Sequence, residues 1–396
     1  MGKLFDLVRL SRPLFPKERE KFNELEKYID LKNIKKVKRL LKKGCILFGY
    51  SSLALSGDVL FNTDYPIIYT TQKSKDDKDL KDFVKTITLE IEKTAKVNAY
   101  ERFSKNADEV IPKLIAPGII GMDLVKKAVS LQLFSTEKVH ILLLGDPGTG
   151  KTDVIRSASE LAPVSSIGLG SGTSGVGLSV MVKGGKVIKG LLPLADKGLC
   201  CIDELNLMKG EDMAALYSAM EKGFIAYDKG ETHITLDARI NVLATANPKG
   251  DKFSGWMKET IKKQIPFDSA LMTRFHLLFL VKKSSVGEFE AIAKKIVGHG
   301  NSEFNPHDVK FVKEYIDYLK DFKVEIPEKL EHKITNFAKG LKEREDEFIT
   351  EINPRIVHGI MRLSKASAKM NMRHEVNSED IEKVINIVER SLKIER

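Results

Sequence analysis

The chain has 396 residues, 42% hydrophobic and 30% charged. This balance excludes a disordered, collagen-like or membrane-embedded protein and suits two or three domains. Its formal net charge of +10 comes from 65 Lys plus Arg against 55 Asp plus Glu, and residues 1–50 alone hold 14 basic and 6 acidic side chains. Three cysteines, Cys45, Cys200 and Cys201, are too few for a disulfide framework or a zinc cluster. With no signal-peptide stretch and no apolar run of membrane-span length, a cytoplasmic protein without a membrane partner is expected.

Residues 17–43 are predicted helical, because Leu25, Tyr28, Ile29, Leu31, Ile34, Val37 and Leu41 recur at three- and four-residue spacing and Gly44 follows as a stop. Within it, residues 32–43 carry seven basic side chains and no acid. That stretch reads equally as a nucleic-acid contact and as a packed helix with a solvated basic side. Over residues 45–71 the runs CILF, DVLF and PIIYTT, broken by Gly49, Gly57 and Pro66, predict three short strands. The hydrophilic linker KSKDDKDLKD leads into a long helix over 79–106, and IAPGIIGMD reads as a hinge into a new domain. Beyond it come the helix LVKKAVSLQLF, the strand VHILLLG, the helix TDVIRSASELA, the strand GLCCIDE, the helix EDMAALYSAMEKG and the strands INVLATAN and FHLLFLV. Such alternation is the signature of a mostly parallel sheet with helices on both faces. After Lys282 the pattern is helical to the end. The expected fold class is therefore α/β, with a small α+β domain over 1–106, a mostly parallel α/β core over 107–282 and an all-helical domain over 283–396.

The residues Gly145, Asp146, Pro147, Gly148, Thr149, Gly150, Lys151 and Thr152 fit GxxxxGK(S/T) between an apolar strand and a helix. The spacing has a physical reason: glycines let successive N–H groups turn inward around a phosphate while the helix N-terminus adds its positive end. Lys151 is placed to reach the β- and γ-phosphates of ATP, and Thr152 to ligate Mg²⁺. Asp203 and Glu204 close the apolar run 199–202, where two carboxylates are costly without a cation. Asp203 is assigned to the Mg²⁺ shell with Thr152. Glu204, one residue on and so on the opposite side of the strand, is assigned to polarising the attacking water. The bland alternative is an acid pair at a helix start. Asn247 ends INVLATAN, where its amide could bond both water and γ-phosphate, although an Asn before Pro248 is more often a turn residue. Arg274 lies just before a strand, and Arg355 begins a helix with Asn353 as cap and Pro354 at its first position. Each also reads as a solvated surface arginine.

The order P-loop, Asp-Glu, Asn, Arg, Arg resembles an AAA+ ATPase and, in detail, the minichromosome maintenance (MCM) helicase family of the archaeal type. The matching stretches are IAPGIIGMDLVKKAVSLQLF, GLLPLADKGLCCIDELNLM, ARINVLATANPK and NPRIVHGIMRLSKASAKM followed by VNSEDIEKVINIVERSL, spread over 107–396. The resemblance implies an AAA+ P-loop core with a helical lid, assembled as a hexameric ring that holds ATP and Mg²⁺ between neighbours. Lys151, Thr152, Asp203, Glu204 and Asn247 would serve their own subunit's nucleotide. Arg274 would be the arginine finger, and Arg355 the sensor arginine, each offered across the interface. It also implies two hairpins that grip single-stranded or forked DNA, at 178–188 and 223–234, with Lys183 and Lys186 flanking the first turn and Lys229 at the second tip.

The sequence departs from the family at several points. The P-loop ends GTGKT where the family has a small apolar residue and Ala before the lysine and Ser after it; DELNLM replaces Asp-Glu-Phe-Asp-Lys-Met; and His276 replaces an acid. Residues 1–106 stand where the family has a larger tier with an oligonucleotide-binding barrel and a zinc module, so zinc is not expected, and neither is the family's C-terminal winged helix. The implied function is an ATP-dependent DNA helicase or translocase. Two others fit: a protein-remodelling or chelatase-like AAA+ ATPase without DNA, and a regulatory or structural paralogue that binds nucleotide and co-assembles with a full-length MCM relative.

Overall fold

The computed structural model describes residues 24–55, 61–71, 77–183, 186–229, 232–255, 257–283, 287, 290, 293–294 and 306–393. The chain forms two compact units, Met1–Lys105 and Asn106–Arg396.

In the first unit a 3₁₀ turn, Glu24–Lys27, precedes helix α1 (Leu31–Lys42), strands β1 (Ile46–Leu55) and β2 (Phe61–Thr70), and helix α2 (Lys78–Ser104). The single helix expected over 17–43 is broken within the described part at Asp30, whose carboxylate accepts the Asn33 N–H at 2.7 Å and caps α1; residues 17–23 lie outside the described residues. Among the described residues of the segment expected to hold three strands, two are seen, paired antiparallel from Ile46 with Thr70 to Leu55 with Phe61. Pro66 opposite Tyr50 does not interrupt β2, because each strand of a two-stranded sheet has an outer edge that needs no donor. The segment DVLF lies largely outside the described residues. Helix α1 turns Ile34 and Val37 into a core with Leu25, Ile46, Ile68, Ile87 and Ile91. Its cations Lys32, Lys35, Lys36, Arg39 and Lys42 stay exposed.

The second unit opens with α3 (Ala107–Leu114) and α4 (Asp123–Phe134), then runs β3 (His140–Gly145), α5 (Lys151–Leu161), β4 (Ser165–Leu169), α6 (Gly175–Leu178), the hairpin β5 (Val180–Lys183) and β6 (Lys186–Lys189), α7 (Leu191–Leu194) and β7 (Leu199–Asp203). It continues through α8 (Met213–Lys222), the hairpin β8 (Phe224–Lys229) and β9 (Thr232–Asp237), β10 (Asn241–Ala246), α9 (Lys258–Gln264), α10 (Ser269–Met272) and β11 (Leu277–Val281). After Lys282 the unit's described elements include α11 (Pro306–Tyr318), α12 (Glu328–Glu343), α13 (Pro354–Met370) and α14 (Ser378–Leu392).

The central sheet is parallel, in the order β11-β3-β10-β7-β4. β3, β7 and β10 are buried at every position, as expected of strands covered by helices on both faces. Strand β4 was not foreseen. As an edge strand reading SSIGL it needs no apolar run, and Ile167 and Leu169 are exposed. The helical end is firmly terminated. Asn353 accepts from Arg355 N–H with Pro354 in the first turn of α13, and Asn377 and Asp380 form a capping box at α14. No helix among the described residues is long and apolar enough to cross a membrane.

Candidate nucleotide site

A parallel sheet gathers ligands at the carboxyl ends of its strands, and three of the predicted motifs end there. The loop after β3 turns through Gly148 and Gly150, both left-handed at φ 75° and 84°. Gly145 admits no side chain, since a Cβ would lie 2.1 Å from the Val281 carbonyl oxygen. Among the described residues the N–H groups of Gly148 and Gly150 donate to no backbone carbonyl, which leaves them for an anion at the N-terminus of α5. Lys151, 7% exposed, donates to the carbonyls of Gly145 at 2.8 Å and Asp146 at 2.7 Å and to Thr149 Oγ1 at 3.3 Å. Burial pulls its pKa down to about 8, against the attraction of Asp203, Asp146 and Glu204. Asp146 pins the loop from the other side by accepting the Phe253 N–H at 2.9 Å.

Thr152 Oγ1 donates to Asp203 Oδ2 at 2.9 Å, so two residues 51 positions apart meet where each was expected to serve one cation. Asp203 ends β7. Glu204 is not on the opposite side of a strand, as the sequence reading had it. It has left the strand, in left-handed conformation at φ 53° and ψ 46°, which costs a residue with a Cβ roughly 1–2 kcal/mol. Asn247, directly after β10, is held through its N–H by Asn206 Oδ1 at 2.9 Å. Sequence reasoning missed Asn206 and Thr245. The Thr245 hydroxyl, 1% exposed, donates to Asp203 Oδ1 and accepts the Glu204 N–H at 2.9 Å. The available signal was a hydroxyl in an otherwise apolar strand. The glycine cradle, the buried lysine and the hydroxyl–carboxylate pair together fit a Mg²⁺–nucleoside triphosphate.

The two arginines lie at the other end of the same sheet. Arg274 precedes β11, and His276 N–H bonds the His140 carbonyl at the start of β3. Arg274 donates to Glu221 Oε2 at 2.7 Å and to the Ala270 carbonyl at 2.5 Å, with its guanidinium 4.8 Å from the Tyr217 ring centre. Arg355 donates to the Thr273 carbonyl at 3.1 Å and faces Glu221 Oε1 at 3.6 Å. One carboxylate thus gathers both arginines, and Arg274 chiefly holds its pKa below the usual range. Arg362 bonds Glu137 and the Lys138 carbonyl, Lys365 faces Glu137, and Lys138 reaches the Glu221 carbonyl. Five cations therefore surround two carboxylates.

His276 and His140 pack beneath this cluster with ring centres 5.2 Å apart. His140 accepts the Val242 N–H at Nδ1 and faces the Met220 carbonyl with Nε2, so it is neutral. Burial drives its pKa down to about 3, and that of His276 well below 6.5.

The two hairpins stand apart from the central sheet. Lys183 and Lys186 are exposed and directly opposite one another beside the first turn. Lys229 ends β8 opposite Thr232; the placement of its side chain lies outside what is described.

A model of the MCM P-loop domain matches residues 93–299, more than half of the chain, and a model of the MCM AAA-lid domain matches residues 310–392. DNA replication licensing factor mcm7-B of Xenopus laevis is 32% identical over 309 residues, 72% of this chain and 43% of that protein. Minichromosome maintenance protein MCM of Saccharolobus solfataricus is 31% identical over 297 residues, 69% of this chain and 43% of that protein. DNA replication licensing factor Mcm2 of Drosophila melanogaster is 28% identical over 349 residues, 78% of this chain and 39% of that protein. The chain spans less than half the length of these relatives. Its two matched domains, in this order and on a parallel P-loop sheet followed by a helical lid, establish that the chain belongs to the MCM family.

Proposed function

We propose that the protein is an ATP-hydrolysing MCM-type motor acting on DNA, with each nucleotide site completed by a neighbouring subunit in a ring, most simply a hexamer of this chain or one shared with a full-length relative. The observation that carries this reading is the placement of the two half-sites. Val281 pairs with Gly145 at one end of β11 and Leu277 with Ile141 near the other. The arginine cluster therefore sits a full strand, about 16 Å, from the phosphate loop. A side chain at one end cannot serve the other, whereas a second copy docked head to tail brings them together, and such heterologous contacts close into rings.

In this reading Lys151 and the loop amides hold the β- and γ-phosphates, and Thr152 and Asp203 hold Mg²⁺. The metal supplies charge neutralisation at the phosphate oxygens. Glu204 orients and deprotonates the attacking water, assisted by the Asn247 amide. Arg274 and Arg355, released from Glu221, stabilise the charge that develops on the transferred phosphoryl group. Lys183, Lys186 and Lys229 contact the DNA backbone. Like charges opposite one another on a hairpin are unfavourable, and the Lys183–Lys186 pair gains from an intervening phosphate. The division into 1–106, an ATPase core over 107–282 and a lid over 283–396 belongs to the same proposal.

The decisive test mixes two inactive variants, Lys151→Ala and Arg274→Ala. If sites are shared, half the subunits donate a working loop and half a working arginine, so an equimolar mixture recovers about a quarter of the wild-type Mg²⁺-dependent ATPase rate. A mixture that stays at background, or a wild-type protein without ATPase activity, refutes the proposal.

A further inference from the structure

We propose that Thr245 is a positioning residue that ties Asp203 and Glu204 into one unit; the inference rests on the proposed ATP hydrolysis. Ala244 pairs with Ile202 in the parallel β10–β7 ladder, so Thr245 lies beside Asp203. A buried hydroxyl must find partners, and this one uses both its capacities, donating to Asp203 Oδ1 and accepting the Glu204 N–H at 2.9 Å.

The two oxygens of Asp203 consequently have different tasks. Oδ1 is fastened to the sheet through Thr245, and Oδ2 takes the Thr152 hydroxyl at 2.9 Å. Oδ2 can turn to a metal shared with Thr152 while Oδ1 keeps the carboxylate in place. Such outer contacts orient metal ligands, and losing one typically costs roughly 10- to 100-fold in metal affinity or activity.

The same hydroxyl fixes Glu204. Its left-handed turn takes the N–H out of the strand ladder, and Thr245 accepts it. On the other side the Glu204 carbonyl abuts Gly170, where any Cβ would stand 2.1 Å from that oxygen. The Glu204 backbone is thus clamped on both sides, from two elements, which fixes where its side chain leaves the chain.

Thr245→Val keeps the β-branched shape and removes both bonds; Thr245→Ala also removes both bonds, without risk of overpacking; Thr245→Ser restores the hydroxyl. Each is prepared in the full chain. The measurements are kcat for ATP, the Mg²⁺ concentration at half-maximal rate, and the affinity of a fluorescent ATP analogue in EDTA and at rising Mg²⁺. Val and Ala are expected to lower kcat and raise the half-saturating Mg²⁺ by roughly 10- to 100-fold, to leave the EDTA affinity unchanged, and Ser to recover most of the loss. Wild-type kcat and Mg²⁺ dependence in Val and Ala would overturn the proposal. So would a parallel loss of EDTA affinity, or a Ser variant as impaired as Val. A wild type that turns over no ATP defeats the functional reading, but the fluorescence arm still decides the role of Thr245. Loss of the Mg²⁺-dependent gain in affinity supports it, and retention overturns it.

Discussion

Lys126→Met probes the wall beside the phosphate loop. Lys126 is 7% exposed, and its ammonium donates to the carbonyls of Ala116 at 2.9 Å and Ile119 at 2.6 Å. These bonds hold a segment in which Ala116 is left-handed at φ 44° and bonds Ser157 of α5 through its N–H at 3.0 Å. Ile119 lies so close to Gly150 that a Cβ there would be 2.8 Å from its Cδ1 atom. Methionine fills the space of the lysine stem but offers no donor. The Ala116 carbonyl keeps the Ile119 N–H at 2.9 Å but loses its bond to the ammonium, worth roughly 1.5–3 kcal/mol, whereas the half-buried Ile119 carbonyl rehydrates cheaply. Relief from burying an ammonium offsets part of the loss, so a net destabilisation of about 2 kcal/mol is expected, a fall in Tm of roughly 4–8 °C. A nucleotide that needs the Ile119–Gly150 contact must re-seat the segment. Its affinity therefore falls too, by at most roughly thirtyfold if the whole 2 kcal/mol is recovered on binding. Thermal melts and fluorescent-nucleotide titrations of wild type and Lys126→Met read both quantities. An unchanged Tm would refute the stability argument, and a lowered Tm with unchanged affinity would refute the coupling to the loop.

Acid should weaken the fold through the two buried histidines. His140, with a folded pKa of about 3, and His276, also depressed, bind fewer protons folded than unfolded. The stability they contribute is complete above pH 6.5 and is lost as pH falls toward 3, by up to roughly 2.7 kcal/mol per pH unit for the pair. Denaturant midpoints between pH 7 and 5 should show this slope, and His140→Gln should reduce it by one proton; an identical slope in the variant sinks the assignment. For the first hairpin, Lys183→Gln with Lys186→Gln is expected to flatten the salt dependence of single-stranded DNA binding by about 1.4 in the log–log slope, 0.7 per lost phosphate contact. An unaltered slope removes these lysines from the DNA surface.

What the sequence discloses here follows the range over which a signal acts. The P-loop is legible because its glycines, lysine and threonine are contiguous, and the cap at Asn353 because a cap is decided within four residues. The break at Asp30 was hidden by an apolar periodicity that runs through it. β4 was hidden because its place at the sheet edge comes from pairing with β7, not from its own composition. The conformation of Glu204 depends on partners 34 and 41 positions away, Gly170 and Thr245, and no local pattern reports that. The meeting of Arg274 and Arg355 at Glu221 was likewise invisible, since an exposed glutamate at a helix end looks like any other solvated charge.

The placement of the phosphate loop and the arginines at opposite ends of one sheet makes hydrolysis, under the proposed function, a property of encounters and not of molecules. At concentrations where chains rarely meet, the rate should fall with the square of protein concentration, and dilution alone should silence the motor without any inhibitor. A cell holding such a protein could set its ATP consumption by how many copies it gathers at one place on DNA.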